Sequence, residues 1–354
     1  GDNPDTIRLK TMTGMPKHPC QKMQPDGQQS FLYLWKVHIS LFLHFASQEQ
    51  TDRIYKNQEG NIIKWDREID AKGNLLMPGF KDAHTHTAMT FLRSYADDLP
   101  LSDWLNNQVF PKEALLTPED IYILTKHGIM EYLTSGITAG FDMYMKMDEG
   151  ARAAKECGFR YVLCGAINDF GGTVEDCERD YNKFNDYDEL ISYVYGFHAE
   201  YTTKMEIMEG LAALGKKYGA PIFMHNSETK DEVEGCKQRW GKTPTKLFSD
   251  LGIYDNGGGG FHCVWMSDED MDIFRQRNLY AVTNPASNTK LASGIAPVQK
   301  YMDMGINLAI GTDGAASNNC LDMFREMFLM TGLAKLREND ASAVPAEKVL
   351  KAAT

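Results

Sequence analysis

Basic residues are in short supply in this chain: 37 lysines and arginines face 49 aspartates and glutamates, leaving a formal net charge of −12. A surface of that sign repels phosphate backbones and anionic bilayers, so neither nucleic acid nor membrane is an expected partner. Long apolar runs are missing too. The best stretch, residues 31–46, is broken by Lys36, His38 and His44, too short and too polar for a membrane span. It also lies too far from the start for a signal peptide. The seven cysteines are an odd number with no metal-like CxxC spacing, so they read as reduced thiols of a cytoplasmic protein. Cys157, Cys164, Cys177 and Cys263 are expected to pack as small apolar side chains. The sequence has no internal repeat and no heptad pattern, and the run Gly257 to Gly260 lacks the spacing of a phosphate loop and reads as a flexible connection.

What the sequence does hold is apolar content enough, 43% over 354 residues, for one large core and a minor domain. Its most informative local feature is His84-Thr85-His86. Side chains alternate across a strand, so residues two apart share a face, and two neutral imidazoles there can hold a metal ion. A pair of surface or core histidines would read the same way. Three further segments agree with the metal reading: His225-Asn226-Ser227-Glu228 after an apolar run, Phe261-His262-Cys263-Val264, and Leu308-Ala309-Ile310-Gly311-Thr312-Asp313-Gly314. Each apolar run stops at a polar residue and a turn, as a buried parallel strand does where its carboxyl end opens onto a loop.

Strands are expected near residues 75–84, 137–144, 160–166, 193–198, 220–225, 259–264, 279–284 and 306–313, with helices between them at 118–135, 147–157, 204–218, 231–251, 268–277 and 296–304. Eight alternating units predict an α/β fold, a (β/α)8 TIM-type barrel, in which functional residues gather at the carboxyl ends of the strands.

From about residue 69 to residue 336 the chain resembles the amidohydrolase superfamily, and within it the 5-methylthioadenosine/S-adenosylhomocysteine deaminase group. The resemblance is carried by Pro78-Gly79-Phe80 before His84-Thr85-His86, by Tyr95-Ala96-Asp97-Asp98-Leu99-Pro100-Leu101 with Trp104, by His225 and Glu228, by His262-Cys263, by Asn284-Pro285-Ala286-Ser287-Asn288, and by Gly311 through Asn319. It implies one divalent metal ion per chain, zinc first with iron(II) or manganese(II) as alternatives, on His84, His86, His225 and Asp313. Four such ligands leave a position open for water and make hydroxide available near neutrality. Glu228 would be the general acid and base, serving the ring nitrogen and then the departing amine. His262 would orient the attacking water, and Asp313 could accept a proton as well as touch the metal. Read singly, His262 could be a core histidine satisfied by a carbonyl, and Asp313 a helix cap. No strand-end lysine matches the bridging, carboxylated lysine of binuclear relatives, and Lys81 reads as solvated.

On the substrate side the resemblance implies Trp104 and Glu113 at the nucleoside, the carboxylate accepting from the ribose diol, with His198 on the purine side and Glu228 at the ring. A packed loop aromatic and a solvated helix-start acid are the alternatives for Trp104 and Glu113. The expected reaction is hydrolytic deamination of an adenine nucleoside (5′-methylthioadenosine, S-adenosylhomocysteine or adenosine), a small molecule, to its inosine analogue and ammonia. The alternatives are a deaminase or chlorohydrolase of a free base such as guanine or cytosine, or of a triazine, and, outside enzymes, a silent barrel scaffold. Relatives that take the S-adenosylhomocysteine tail carry arginines after the third strand. Here that region reads Cys164-Gly165 and Gly171-Gly172-Thr173, which favours uncharged tails. Thr283 replaces the histidine that commonly precedes Asn-Pro. Residues 1–68 are expected as a partial β-sandwich or irregular segment, 69–354 as the barrel. The chain stops within the start of a helix, short of the family pattern. Self-association is left open.

Overall fold

The structure is a computed structural model and describes residues 6–9, 67–70, 72 and 74–354. It divides into two units, residues 1–78 and 79–354. In the first, strands β1 (Thr6–Leu9) and β2 (Arg67–Asp70) pair antiparallel, with Ile7 opposite Ile69. The run 31–46, and with it most of the expected sandwich segment, lies outside the described residues.

The second unit is built on eight parallel strands: β3 (Phe80–Thr85), β4 (Ile137–Met143), β5 (Arg160–Cys164), β6 (Ile191–Gly196), β7 (Ile222–Asn226), β8 (Gly258–His262), β9 (Tyr280–Thr283) and β10 (Asn307–Ile310). Their order in the sheet is their order in the chain. The first and last strands approach closely enough for the Asp313 amide to donate to the His84 carbonyl at 2.9 Å and the Thr312 amide to Asp82 Oδ1 at 2.8 Å. The result is a nearly closed (β/α)8 barrel, as the alternation predicted. Parallel strands covered on both faces carry continuous apolar runs rather than alternation; β7 is buried at every position. Phe141, Phe223 and Phe261 pack on one another at centroid distances of 4.9 to 5.7 Å, and Phe261 stacks under the His84 ring at 3.7 Å, an aromatic floor for the histidines above it.

The described α-helices of six or more residues are α1 (Pro118–Thr134), α2 (Met147–Cys157), α3 (Val174–Phe184), α4 (Met205–Tyr218), α5 (Lys230–Trp240), α6 (Pro244–Asp250), α7 (Asp268–Gln276), α8 (Pro285–Lys290), α9 (Val298–Met304), α10 (Met323–Glu338) and α11 (Ala346–Ala353). Capping boxes, Thr117 with Asp120, Thr173 with Asp176 and Ser267 with Asp270, start α1, α3 and α7.

Three expectations need correction. The single helix 231–251 is two, α5 and α6. Gly241 ends the first at φ +69°, Thr243 caps the second, and Pro244 occupies its first turn. The glycine run is not a flexible connection, since Gly258 to Gly260 form buried strand β8. A Cβ on Gly258 would stand 2.0 Å from the Ile222 carbonyl oxygen, and one on Gly259 2.2 Å from that of Tyr280, so neighbouring strands leave room for hydrogen only. Lys81 is half-buried and donates to the Thr354 carbonyl rather than to solvent.

Candidate active site

The carboxyl ends of β3, β7 and β10 bring four functional groups together. His84 lies next to the end of β3 and is wholly buried, His86 follows the strand, His225 lies on β7, and Asp313 stands just past β10. One ligand atom from each of these four lies within 4.8 Å of the others. Asp313 Oδ1 is 3.4 Å from His84 Nε2 and 3.1 Å from His86 Nε2.

Whether these residues suit a cation is decided by their other hydrogen bonds. His86 Nδ1 meets the Met143 carbonyl at 2.5 Å and His225 Nδ1 the His198 carbonyl at 2.8 Å. A carbonyl only accepts, so both rings carry a proton on Nδ1 and turn Nε2 inward, the arrangement typical of metal-bound imidazole, in which a cation would take the place of any proton on Nε2. Neither ring nitrogen of buried His84 has a hydrogen-bond partner, a costly state that a cation at Nε2 would relieve. Burial pushes the His84 pKa down to about 3, keeping it the neutral base a metal needs. Burial also pulls on His86, but its hydrogen bond to Asp313 and that residue's charge outweigh it and raise the pKa to about 9. Burial would lift Asp313, yet the two imidazoles beside it, His84 and His86, hold it well below the usual carboxylate range. The donor set fits a divalent metal such as zinc.

Asp313 is aimed by its second oxygen. Oδ2 accepts from Ser287 Oγ at 2.6 Å and Ser317 Oγ at 2.8 Å, leaving Oδ1 to the imidazoles. Removing these hydroxyls together (Ser287→Ala with Ser317→Ala) is expected to weaken metal affinity about 10- to 100-fold, read by competition with a chromogenic chelator. Unchanged affinity would show that Asp313 needs no such support.

Beside this cluster stand two more buried groups. The Ser227 and Glu228 amides donate to Glu232 Oε1 and Oε2 at 2.9 and 2.7 Å, fixing the turn that carries Glu228. Glu228 Oε1 accepts from Ser293 Oγ at 3.0 Å and lies 3.8 Å from His262 Nδ1. That nitrogen meets Asn288 Oδ1 at 2.8 Å, and His262 Nε2 sits 3.9 Å from Asp313 Oδ2. Burial raises the Glu228 carboxyl above its ordinary range. Ser227, His262, Cys263 and Asp313 all have positive φ, between 49° and 68°. Such residues cost on the order of 1–3 kcal/mol each, and here they cluster where the strands deliver side chains to the site.

A cleft of about 790 Å³ opens over these groups, and Trp104, Glu113 and His198 line it together with His225, Glu228 and His262. Trp104 opens a π-helical turn, Trp104–Val109, in the helical run 101–113, a local distortion often found at functional sites. Glu113 is only 4% exposed, which disposes of the solvated-acid alternative. Every site residue expected from the sequence therefore faces one cleft or its floor. Ser287, Asn288, Ser293, Ser317 and Glu232 were not singled out for roles, although all but Ser293 and Glu232 stand in segments that carried the resemblance. Serines 26 residues before and 4 residues after an aspartate are no signal until the fold shows which oxygen each hydroxyl meets.

A sequence profile of the amidohydrolase family matches residues 75–354. The chain belongs to the amidohydrolase family. Among its relatives, the 5-methylthioadenosine/S-adenosylhomocysteine deaminase of Thermoanaerobacter pseudethanolicus is 42% identical over 299 residues, covering 82% of this chain and 69% of that protein. The 5′-deoxyadenosine deaminase of Methanosarcina acetivorans is 40% identical over 297 residues, covering 82% and 68%. A solved structure, an adenosine deaminase from Xanthomonas campestris with bound zinc, superposes with a TM-score of 0.75 at 36% identity, covering 78% of this chain and 65% of that one. In this amidohydrolase no described helix is long and apolar enough to cross a membrane. The segment after β5 keeps its glycines, and Arg179 of α3, which reaches the cleft wall, is taken up by Asp176 and Asp180.

Proposed function

We propose that this amidohydrolase deaminates adenine nucleosides with an uncharged 5′ substituent, 5′-methylthioadenosine foremost and adenosine next, using one divalent metal ion held by His84, His86, His225 and Asp313. The observation that carries the reading is that one cleft is lined by His86, His225 and Asp313 of this cluster, by the buried Glu228 carboxyl with its raised pKa, and by an indole and a second buried acid, Glu113. The relatives named for nucleoside deamination support it. The ion, zinc by preference, supplies the Lewis acidity that makes a water acidic near neutrality. Trp104 stacks on the ligand, Glu113 accepts hydrogen bonds from both hydroxyls of the ribose diol, and His198 approaches the purine. Glu228 delivers its proton to ring nitrogen N1 as water adds at C6, takes one proton from that water, and passes it to the amino group as the C–N bond breaks; the water's other proton, held meanwhile by Asp313, reloads Glu228 as product leaves. His262, its Nδ1 held by Asn288, turns Nε2 toward the incoming water, and Asp313 Oδ1 takes up the water's second proton. Water enters, ammonia leaves, and the 6-oxo analogue remains.

An uncharged tail is favoured because the only arginine at that wall among the described residues, Arg179, already donates Nε and Nη2 to Asp180 Oδ1 and pairs with Asp176 through Nη1. A carboxylate tail would be desolvated without a fork-shaped partner. The test is ammonia release from 5′-methylthioadenosine, adenosine, S-adenosylhomocysteine, guanine and cytosine. Methylthioadenosine and adenosine should turn over, with S-adenosylhomocysteine lower by about 10- to 100-fold in kcat/KM, the worth of one charge-assisted hydrogen bond. Ammonia from guanine or cytosine alone would sink the nucleoside reading and keep only the chemistry of the metal cluster.

A further inference from the structure

The segment Tyr95 to Leu101 has no part in the chemistry above, yet an ion pair from Asp97 to Lys290 joins it to the helix that supports the site. Lys290 is the last residue of α8, the helix whose Ser287 and Asn288 hold Asp313 and His262. Its ammonium, on a side chain only 14% exposed, reaches the Ala316 carbonyl at 2.8 Å, Asn319 Oδ1 at 3.0 Å and Asp97 Oδ1 at 2.5 Å. Asn319 closes the ring. Its Nδ2 donates to Asp97 Oδ1 at 3.3 Å, its Oδ1 accepts from the Ser94 amide at 2.9 Å, and its carbonyl accepts from Arg93 at 2.6 Å. Asn319 sits at φ +63°, a conformation that asparagine tolerates better than most residues. Four residues beyond Asp97 begins the run 101–113, anchored at its start by the Trp104 amide on the Pro100 carbonyl at 2.8 Å and carrying Trp104 and Glu113 into the cleft.

An isolated exposed ion pair contributes little to stability. This ammonium is different in kind: its three donors meet three acceptors on two separate stretches of chain, 316–319 and Asp97, so its position is over-determined. One of those stretches carries the groups that would hold the ribose, and Lys290 itself belongs to the helix that aims the ligand aspartate.

We propose that Lys290 is a positioning residue which, through Asp97 and Asn319, ties the run bearing Trp104 and Glu113 to helix α8 and so sets the distance between the sugar contacts and the metal cluster. This rests on the reading of Trp104 and Glu113 as nucleoside contacts. A lysine that merely staples the fold would, when removed, weaken every ligand alike, whereas a positioning lysine selectively weakens ligands that need Glu113.

The probes are inosine and 2′,3′-dideoxyinosine, whose binding to the full chain is followed by tryptophan fluorescence, with no turnover required. Wild type should favour inosine, and Glu113→Gln should erase the preference. Lys290→Met should lose about tenfold in inosine affinity while the dideoxy compound changes little, since small displacements of positioning groups are costly. Lys290→Arg should retain most of the preference. Asp97→Asn, at the exposed end of the link, should move in the same direction as Lys290→Met and serves if the latter fails to fold. A preference that survives Lys290→Met or Asp97→Asn, or equal losses for both ligands, overturns the proposal. A wild-type chain without the preference, or one that keeps it in Glu113→Gln, overturns the nucleoside reading instead.

Discussion

Glu228→Gln should lower kcat by about 10²- to 10⁴-fold, the usual worth of a positioned acid–base group, and leave metal content and product affinity nearly unchanged. The substitution is isosteric, Glu228 is not among the four clustered ligands, and Ser293 can still donate to the oxygen at the Oε1 position. Loss of proton transfer is therefore separable from loss of the site. The pH dependence carries a sign. Burial raises the Glu228 pKa, so the protonated form persists above the ordinary carboxylate range and kcat/KM should fall as pH rises through that raised value. The Ser293 hydroxyl opposes burial by stabilising the anion, so Ser293→Ala should move that limb to still higher pH. Stability follows linkage in the same sense. A carboxyl with a raised folded pKa contributes fully below its unfolded value, and that contribution is lost as pH rises through the folded one. Glu228→Gln has no such loss, so its melting temperature relative to wild type should climb between acidic and alkaline buffers. Activity within tenfold of wild type would remove Glu228 from the proton path.

Glu228 was legible in the sequence because it stands three residues past a strand-end histidine, and strand ends are what a βα repeat marks most clearly. Period and burial place β3, β7 and β10, and the barrel's geometry then requires His84, His225 and Asp313 to converge. What escaped is the orientation of side chains by partners distant in the chain. Ser293 meets Glu228 across 65 positions and Ser287 meets Asp313 across 26, and nothing local encodes either pair. The glycines of β8 were misread for a related reason: a residue kept small by the backbone of β7 and β9 looks the same in sequence as one kept small for flexibility. The break at Gly241 to Pro244, by contrast, was written in plain turn chemistry, and the apolar periodicity on both sides of it hid the stop.

Stripping the metal should abolish deamination and lower the melting temperature together, because the ligands lie on the first, fifth and last strands of the barrel. A cation held by His84, His225 and Asp313 links β3 to β10 where the backbone closure rests on few hydrogen bonds, among them the Asp313 amide on the His84 carbonyl. A ligand that binds only the folded chain stabilises it by about 4 kcal/mol at a free concentration 1,000 times its Kd, so a chelator-treated sample should melt several degrees lower and recover on adding zinc. Protons compete for the same Nε2 atoms, so the zinc-dependent part of the stability should shrink as pH falls. His225→Ala should mimic the chelator, with metal per chain by elemental analysis near zero, no ammonia released, and no rise in melting temperature on adding zinc. His127→Asn, at an exposed histidine of α1, should keep both metal and activity. Full metal content in His225→Ala would mean that the ion sits elsewhere. A chelated wild type that still deaminates would mean that the cluster of imidazoles and carboxylate acts without a cation, with His86 and Asp313 sharing the proton that their mutual pKa shifts already favour.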